Sequence, residues 1–144
     1  MPEPRTKVDV PFESDAEIDE FVRLFELCEL PYERWTHRAH LAVAASYLTR
    51  YALSEATDRA RAGIQRYNRT RGDPAGYHET ITVVFMRLVA RELTADGRGI
   101  AGLVNELAGR CPVTWLYQYF SPKRLWSAEA RAGLVAPDLR PLDF

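Results

Sequence analysis

The chain has 144 residues, a length typical of one domain, and 47% of them are hydrophobic, which is enough for a single core. Its 19 basic and 20 acidic residues give a net charge of −1, which argues against strong attraction to a nucleic-acid backbone or an anionic membrane surface. The two cysteines have no motif spacing, the N-terminus lacks the apolar run of a signal peptide, and no apolar stretch reaches the ~18 residues of a membrane span.

The first ten residues are mostly polar and include two prolines, so residues 1–13 are expected to form a flexible arm or a short extended strap. Ser14 and Glu17 have the spacing of a capping box, which predicts a helix start. The helix then carries an apolar stripe of Ile18, Phe21, Val22 and Phe25 and ends before Pro31.

A second helix is predicted from Pro31 to about Arg50, because proline is favoured in a first helical turn. One face holds His37, Leu41, Ala44, Leu48 and Tyr51. The opposite side carries mostly small residues that let another backbone approach closely. We therefore expect this helix to be packed on more than one side.

The third helix is predicted from a Ser54 cap to about Asn68, followed by a loop at 69–76 that contains two glycines and a proline. The fourth is predicted from His78 to about Leu93. It is apolar on nearly all sides, which is typical of a helix at the centre of a domain. Residues 81–85 alone would also fit a strand, but the uninterrupted length favours a helix.

A fifth helix is predicted after Asp96 and Gly97, from Ile100 to about Leu107, with Gly109 as its stop signal. Short helices or turns are predicted to start near Pro112, Ser121 and Ser127, before an extended tail at 133–144. The predicted fold is an all-α, single-domain bundle over residues 1–144, with about five main helices and short C-terminal ones.

All three histidines lie in two short polar segments. His37 and His40 are three residues apart, so on a helix they are neighbours on one face. His78 precedes Glu79 at the start of the apolar fourth helix, where a buried carboxylate needs a cation or hydrogen bonds. If the two helix starts face each other, the three imidazoles converge at one point.

This pattern predicts a divalent metal centre with His37, His40 and His78 as ligands, because neutral imidazole is the commonest protein ligand for metals. With a water in the fourth position the expected metal is zinc, and Glu79 then acts as general acid or base. With Glu79 as an inner-sphere ligand the set suits iron, manganese or nickel instead. The sequence leaves both arrangements open.

Further side chains are candidates for roles around such a centre. Tyr77 adjoins the site in sequence and is a candidate catalytic hydroxyl, while Arg38, Arg71 and Tyr47 are candidates for binding a small, anionic substrate. Four residues are candidate partners of the ligands' second ring nitrogens: Glu26, Glu33, Thr36 and Thr82. The loop at 69–76 is a candidate lid.

Two classes of function stay open. The first is a metal-dependent hydrolase, lyase or hydratase that acts on a small metabolite in the cytoplasm, with neither nucleic acid nor membrane as a partner. The second is a non-catalytic helical module that binds metal or a protein, with histidines that merely form a polar network. A homodimer is compatible with either class.

Two motifs resemble segments of a group of small, functionally uncharacterised bacterial proteins. They are the sequences YERWTHRAHL at 32–41 and GYHETIT at 76–82. This resemblance implies no reaction. A helical bundle with three histidines is also similar in architecture to the DinB/YfiT-type metal-binding bundles, although their paired histidines are spaced differently and come last in the chain.

Overall fold

The structure is a computed structural model that describes residues 6–95 and 99–144. Within these residues the fold contains five helices of 11 to 18 residues. They are α1 (Asp15–Glu26), α2 (His37–Leu48), α3 (Leu53–Thr70), α4 (Glu79–Ala95) and α5 (Ile100–Arg110). No strand occurs in the described ranges, so the predicted all-α class with about five main helices is confirmed.

Helix α1 starts as predicted. The Ser14 hydroxyl accepts a hydrogen bond from the backbone N–H of Glu17, and the Glu17 carboxylate accepts one from the N–H of Glu13. The stripe of Ile18, Phe21, Val22 and Phe25 is buried. These residues lie on one face because their spacing follows the helical period.

Helix α2 is the centre of the bundle and contacts α1, α3, α4 and α5, which confirms packing on more than one side. Its predicted start at Pro31 is wrong. Residues Tyr32–Arg34 form a separate 3₁₀ turn, and α2 begins at His37 after an extended Thr36. The Thr36 hydroxyl accepts a hydrogen bond from the N–H of Ala39 and caps the helix, a role that proline does not supply.

Helix α4 lies against α2, α3 and α5, and its middle section, which includes Val84, Leu88 and Val89, is fully buried. Residues 81–85 belong to this helix, so the strand alternative is wrong. Helix α3 buries Ala56, Ala60, Ile64 and Tyr67, as its pattern predicts. It begins at Leu53, one residue before the predicted Ser54 cap.

Helix α5 continues past the predicted stop at Gly109 and ends at Arg110, with Cys111 as its C-cap. Gly109 does not adopt the positive φ that is typical of a glycine that ends a helix, so it is an ordinary residue of the last turn. The predicted break at Asp96 and Gly97 lies outside the described residues. The start of α5 is fixed instead by Asp15, whose carboxylate accepts hydrogen bonds from the backbone N–H groups of Ile100 and Ala101.

The remaining segments wrap around this bundle. A 3₁₀ helix (Val113–Gln118) is followed by two short helices, α6 (Pro122–Leu125) and α7 (Ala128–Ala132). Residues 6–13 form a strap without helix, in which Phe12 is buried and exchanges two hydrogen bonds with Asn105. Residues 133–144 also lack helix, and the Phe144 carbonyl accepts a hydrogen bond from Arg87. Over the described residues, no helix has both the length and the apolar composition needed to cross a membrane.

Replacement of Asp15 by alanine removes the acceptor at the start of α5. We expect the free energy of unfolding to fall by about 1 kcal/mol, the usual contribution of a side-chain cap. The control is Asp19→Ala, which removes an exposed carboxylate from the same helix and should change the value by less than ~0.5 kcal/mol. Urea unfolding followed by circular dichroism measures both. Equal stability of Asp15→Ala and wild type would show that α5 does not depend on this cap.

Candidate functional site

A cavity of about 220 Å³ lies between α2, α3 and α4. Most of its wall is apolar and includes Leu41, Ala44, Ala60, Ile64, Phe85 and Met86. The polar side chains on the wall belong to Thr36, His37, His40 and Thr82. Small-molecule sites typically combine an apolar wall with a few convergent polar groups, which makes this cavity the candidate site.

The start of α2 brings two of the three histidines to this cavity. His37 is the first residue of the helix and His40 lies one turn later. This confirms the prediction that the two histidines are neighbours on one face of a helix. The short residues Ala44 on α2 and Ala60 on α3 leave space in front of them. The cavity therefore lies where small side chains from α2 and α3 adjoin the two histidines.

His40 is held by its own helix and by an indole. Its Nδ1 lies 2.7 Å from the carbonyl oxygen of Thr36, and its ring centroid is 3.9 Å from that of Trp35. Trp35 is fixed in turn by a hydrogen bond from its Nε1 to the side chain of Asn68. Burial lowers the pKa of His40 to about 4, so this imidazole is neutral at physiological pH.

His37 is held by the end of α5. Its Nε2 lies 2.8 Å from the carbonyl oxygen of Cys111, and its ring packs edge-on against Phe85 with the centroids 4.7 Å apart. Burial lowers the pKa of His37, which outweighs the opposing effect of the Cys111 carbonyl. This imidazole is therefore also neutral near pH 7.

The partners determine which nitrogen carries the proton, because a carbonyl oxygen only accepts hydrogen bonds. Nδ1 donates in His40 and Nε2 donates in His37, which leaves an unprotonated Nε2 and an unprotonated Nδ1 respectively. Neither has a partner among the described residues. No fully buried side-chain nitrogen or oxygen in this part of the chain lacks a partner, so both nitrogens must remain accessible from open space.

His78 is arranged differently. It is buried, and its Nε2 donates to the carbonyl oxygen of Leu125 at 2.6 Å while its Nδ1 accepts from the N–H of Ile81 at 3.1 Å. Both ring nitrogens are thus occupied by the protein. His78 lines an open cleft of about 630 Å³, which we call the outer cleft, rather than the cavity itself. Of the three histidines, His40 lines both spaces.

Glu79 forms an ion pair with Arg61 of α3. Its two carboxylate oxygens lie 2.8 and 2.7 Å from Nε and Nη2 of the guanidinium, and the Tyr77 hydroxyl donates to the same carboxylate. Arg61 lowers the pKa of Glu79, while burial and the adjacent carboxylate raise the pKa of the Tyr77 hydroxyl. The cation and hydrogen bonds expected for Glu79 therefore come from the protein, which keeps it ionised and Tyr77 protonated.

Residues 6–95 and 99–144 contain no group of three His, Cys, Asp or Glu side chains placed to hold a metal ion. The expected convergence is thus partial: His37 and His40 share the cavity, whereas His78 and Glu79 point their polar atoms at Leu125, Ile81 and Arg61. Recruitment of His78 to a metal would require one of its two hydrogen bonds to break.

The three predicted substrate-binding residues line neither the cavity nor the outer cleft. Arg38 pairs with Asp9 and Asn105, and Arg71 donates to the backbone carbonyl of Cys28. Tyr47 is buried beside Tyr51, and burial raises its pKa to about 12. Each of these contacts is with the protein itself, and a substrate role for the three residues stays a prediction.

Sequence reasoning missed the residues that shape the site. Trp35 fixes His40, the carbonyl of Cys111 fixes His37, and Trp126 and Arg131 lie at the outer cleft. Of these residues, Trp35 carried a local signal, because it directly precedes the N-cap Thr36. A hydrophobic residue at this position often packs against the fourth residue of the helix, which here is His40. Of the four candidate partners of the ring nitrogens, Thr36 and Thr82 line the cavity, whereas Glu26 and Glu33 do not. His40 is bonded by the Thr36 carbonyl, a backbone group.

Comparison with models of protein families, with curated proteins and with solved structures gave no match. The function of the chain is therefore inferred from the residues of the cavity and the outer cleft.

Replacement of Glu79 by glutamine tests the ion pair with Arg61. We expect the free energy of unfolding at pH 7 to fall by about 1 to 2 kcal/mol, because the partly buried guanidinium loses a charged acceptor. The pKa of Glu79 is lowered by folding, so the pair stabilises the fold above the usual carboxyl pKa of ~4.3 and loses this effect as the pH falls through the folded value. The difference between variant and wild type should therefore vanish in acid.

The control for this comparison is Glu55→Gln, which breaks an exposed ion pair with Arg59 on α3. It should have a smaller effect than Glu79→Gln at neutral pH. Unfolding by urea at pH 7 and at pH 3 measures all three proteins. If Glu79→Gln is as stable as wild type at pH 7, the carboxylate is not needed for the fold and is available for acid or base chemistry.

Proposed function

We propose that the chain is a metal-dependent enzyme whose cavity binds a small molecule next to a divalent ion held by His37 and His40. One observation carries the proposal: both imidazoles lie on the same cavity wall, and each keeps one nitrogen without a protein partner while the other donates to a backbone carbonyl. Metal-ligating histidines are usually oriented by this kind of second hydrogen bond.

The protonation states favour coordination over proton transfer by these two histidines. Both rings have a lowered pKa, and neutral imidazole is the form that binds metals. A base with a pKa of about 4, as in His40, is a weak proton acceptor at neutral pH. The pair is therefore better suited to act as Lewis bases than as general bases.

Two protein ligands would leave at least two positions of a tetrahedral ion for water and substrate, which is the open arrangement of a catalytic site. A zinc ion there would supply polarisation of a substrate oxygen or an activated water, as in hydrolases, lyases and hydratases. Iron, manganese or nickel are alternatives for the same nitrogen ligands. The proposed ligand set is smaller than the set predicted from the sequence, because His78 already has two hydrogen-bond partners.

A second candidate is a non-catalytic binding module. The observation that favours it is the lack, among the described residues, of a third metal-binding side chain beside His37 and His40. In that case the two unprotonated nitrogens would accept hydrogen bonds from a donor group on a small molecule that fills the apolar cavity. The two candidates share the cavity and differ in whether an ion is present.

Zinc titration of the protein, purified without tag or chelator, separates the candidates. We expect one zinc per chain in wild type and at least a ~tenfold weaker affinity in His37→Ala and in His40→Ala, because each variant removes a ligand. The matched control is His78→Gln, which should keep zinc binding provided that its thermal unfolding shows a folded protein.

The outcomes have different meanings. Equal loss of zinc in His78→Gln would restore the three-histidine ligand set expected from the sequence. Lack of stoichiometric zinc, iron, manganese and nickel binding in wild type would overturn the metal-dependent proposal and leave the binding module.

A further inference from the structure

The outer cleft adjoins the cavity. Five residues line both spaces: His40, Ile64, Ile81, Thr82 and Val113. A molecule longer than the cavity would reach the outer cleft by passing between these shared side chains. The two spaces together define the shape and the polarity of a ligand.

The inner part selects an apolar group. The cavity wall offers aliphatic and aromatic side chains and few polar atoms, so a charged group placed there would lose its hydration without compensation. A smaller apolar cavity, of about 150 Å³, is known to hold a benzene molecule. A volume of about 220 Å³ is thus sufficient for one aromatic ring or a short aliphatic chain.

The outer part carries a cation and an aromatic ring. Arg131 is exposed, and its guanidinium carbon lies 5.5 Å from the ring centroid of Trp126. The indole of Trp126 is itself positioned by a hydrogen bond from its Nε1 to the Tyr117 hydroxyl. Arg131 forms no ion pair with any described residue, unlike Arg61, whose guanidinium is occupied by two carboxylates.

The outer cleft also contains one carboxylate, that of Asp73. Its Oδ1 accepts a hydrogen bond from the N–H of Ala75 within its own loop. This negative charge disfavours an anion on the loop side. An anionic group in the outer cleft is therefore directed to the side of Trp126 and Arg131.

We propose that the two spaces bind one amphipathic carboxylate, with its apolar body in the cavity and its carboxylate next to Arg131 and Trp126. This inference rests on the proposed function for the location of the site. It does not depend on the metal, because the contacts named are those of apolar side chains and Arg131. It assigns the anion to Arg131, in place of the Arg38 and Arg71 predicted from the sequence.

The test uses three aryl carboxylates of increasing length, phenylacetate, 3-phenylpropionate and 4-phenylbutyrate, together with the neutral amide 3-phenylpropanamide. Isothermal titration with and without added zinc measures their affinities. We expect at least one carboxylate to bind more tightly than the amide. In Arg131→Gln that carboxylate should bind about two- to fivefold more weakly, as for loss of an exposed charge pair, with the amide unchanged.

The matched control is Lys123→Gln, which removes the same charge from an exposed position outside the outer cleft and should leave all affinities unchanged. Unchanged carboxylate affinity in Arg131→Gln would overturn the assignment of the anion. Failure of all three carboxylates to bind at millimolar concentration would overturn the proposal, whether or not the protein binds zinc.

The cavity half of the proposal has its own test. Ala60→Leu fills the cavity and should weaken carboxylate and amide alike by more than tenfold, while zinc affinity is kept. Ala44→Leu fills it from the opposite wall and replaces Ala60→Leu if that variant does not fold. Independently of any variant, nuclear Overhauser contacts are expected between the ligand ring and the methyl groups of Ala44 and Ala60. Lack of these contacts in a saturated complex would overturn the placement of the apolar body.

Discussion

Thr36 is the residue on which the arrangement of the site depends. Its hydroxyl caps α2, and its carbonyl accepts hydrogen bonds from both the backbone N–H and the Nδ1 of His40. The helix start, the orientation of the imidazole and its tautomer are thus fixed by one residue. Because the backbone is extended at Thr36, Trp35 lies outside α2, and its ring packs against that of His40.

The fold was predictable where an apolar stripe follows the helical period. The apolar stripes of α1 and α3 indicated their buried faces directly, because burial on one side requires apolar residues at the helical spacing. The apolar residues on nearly all sides of α4 indicated its central position. The ends of helices depend on single hydrogen bonds, and there local signals competed. Pro31 predicts the start of α2, although Thr36 supplies its cap. Gly109 predicts the end of α5, although the helix ends one residue later, at Arg110.

Only the part of the site that lies within one helix could be predicted from the sequence. The proximity of His37 and His40 follows from helical geometry, whereas the partners of the other polar groups come from distant segments. Glu79 meets Arg61 across two helices, and His78 meets a carbonyl of α6, at Leu125. No spacing in the sequence encodes these contacts. The cluster of polar residues at the start of α4 was therefore correctly expected to be paired, but its partners could not be named.

The contrast among the three histidines is the strongest argument that the cavity has a ligand. A side-chain nitrogen sealed from water without a partner loses the free energy of a hydrogen bond, about 1 to 3 kcal/mol, and the described residues contain no such nitrogen. The fold avoids this loss at His78 by satisfying both nitrogens. At His37 and His40 it satisfies only one each, on the wall of a cavity that small alanines keep open. At these two residues the second nitrogen stays open to whatever enters the cavity, and this availability supports the proposal that an ion or a small molecule binds there.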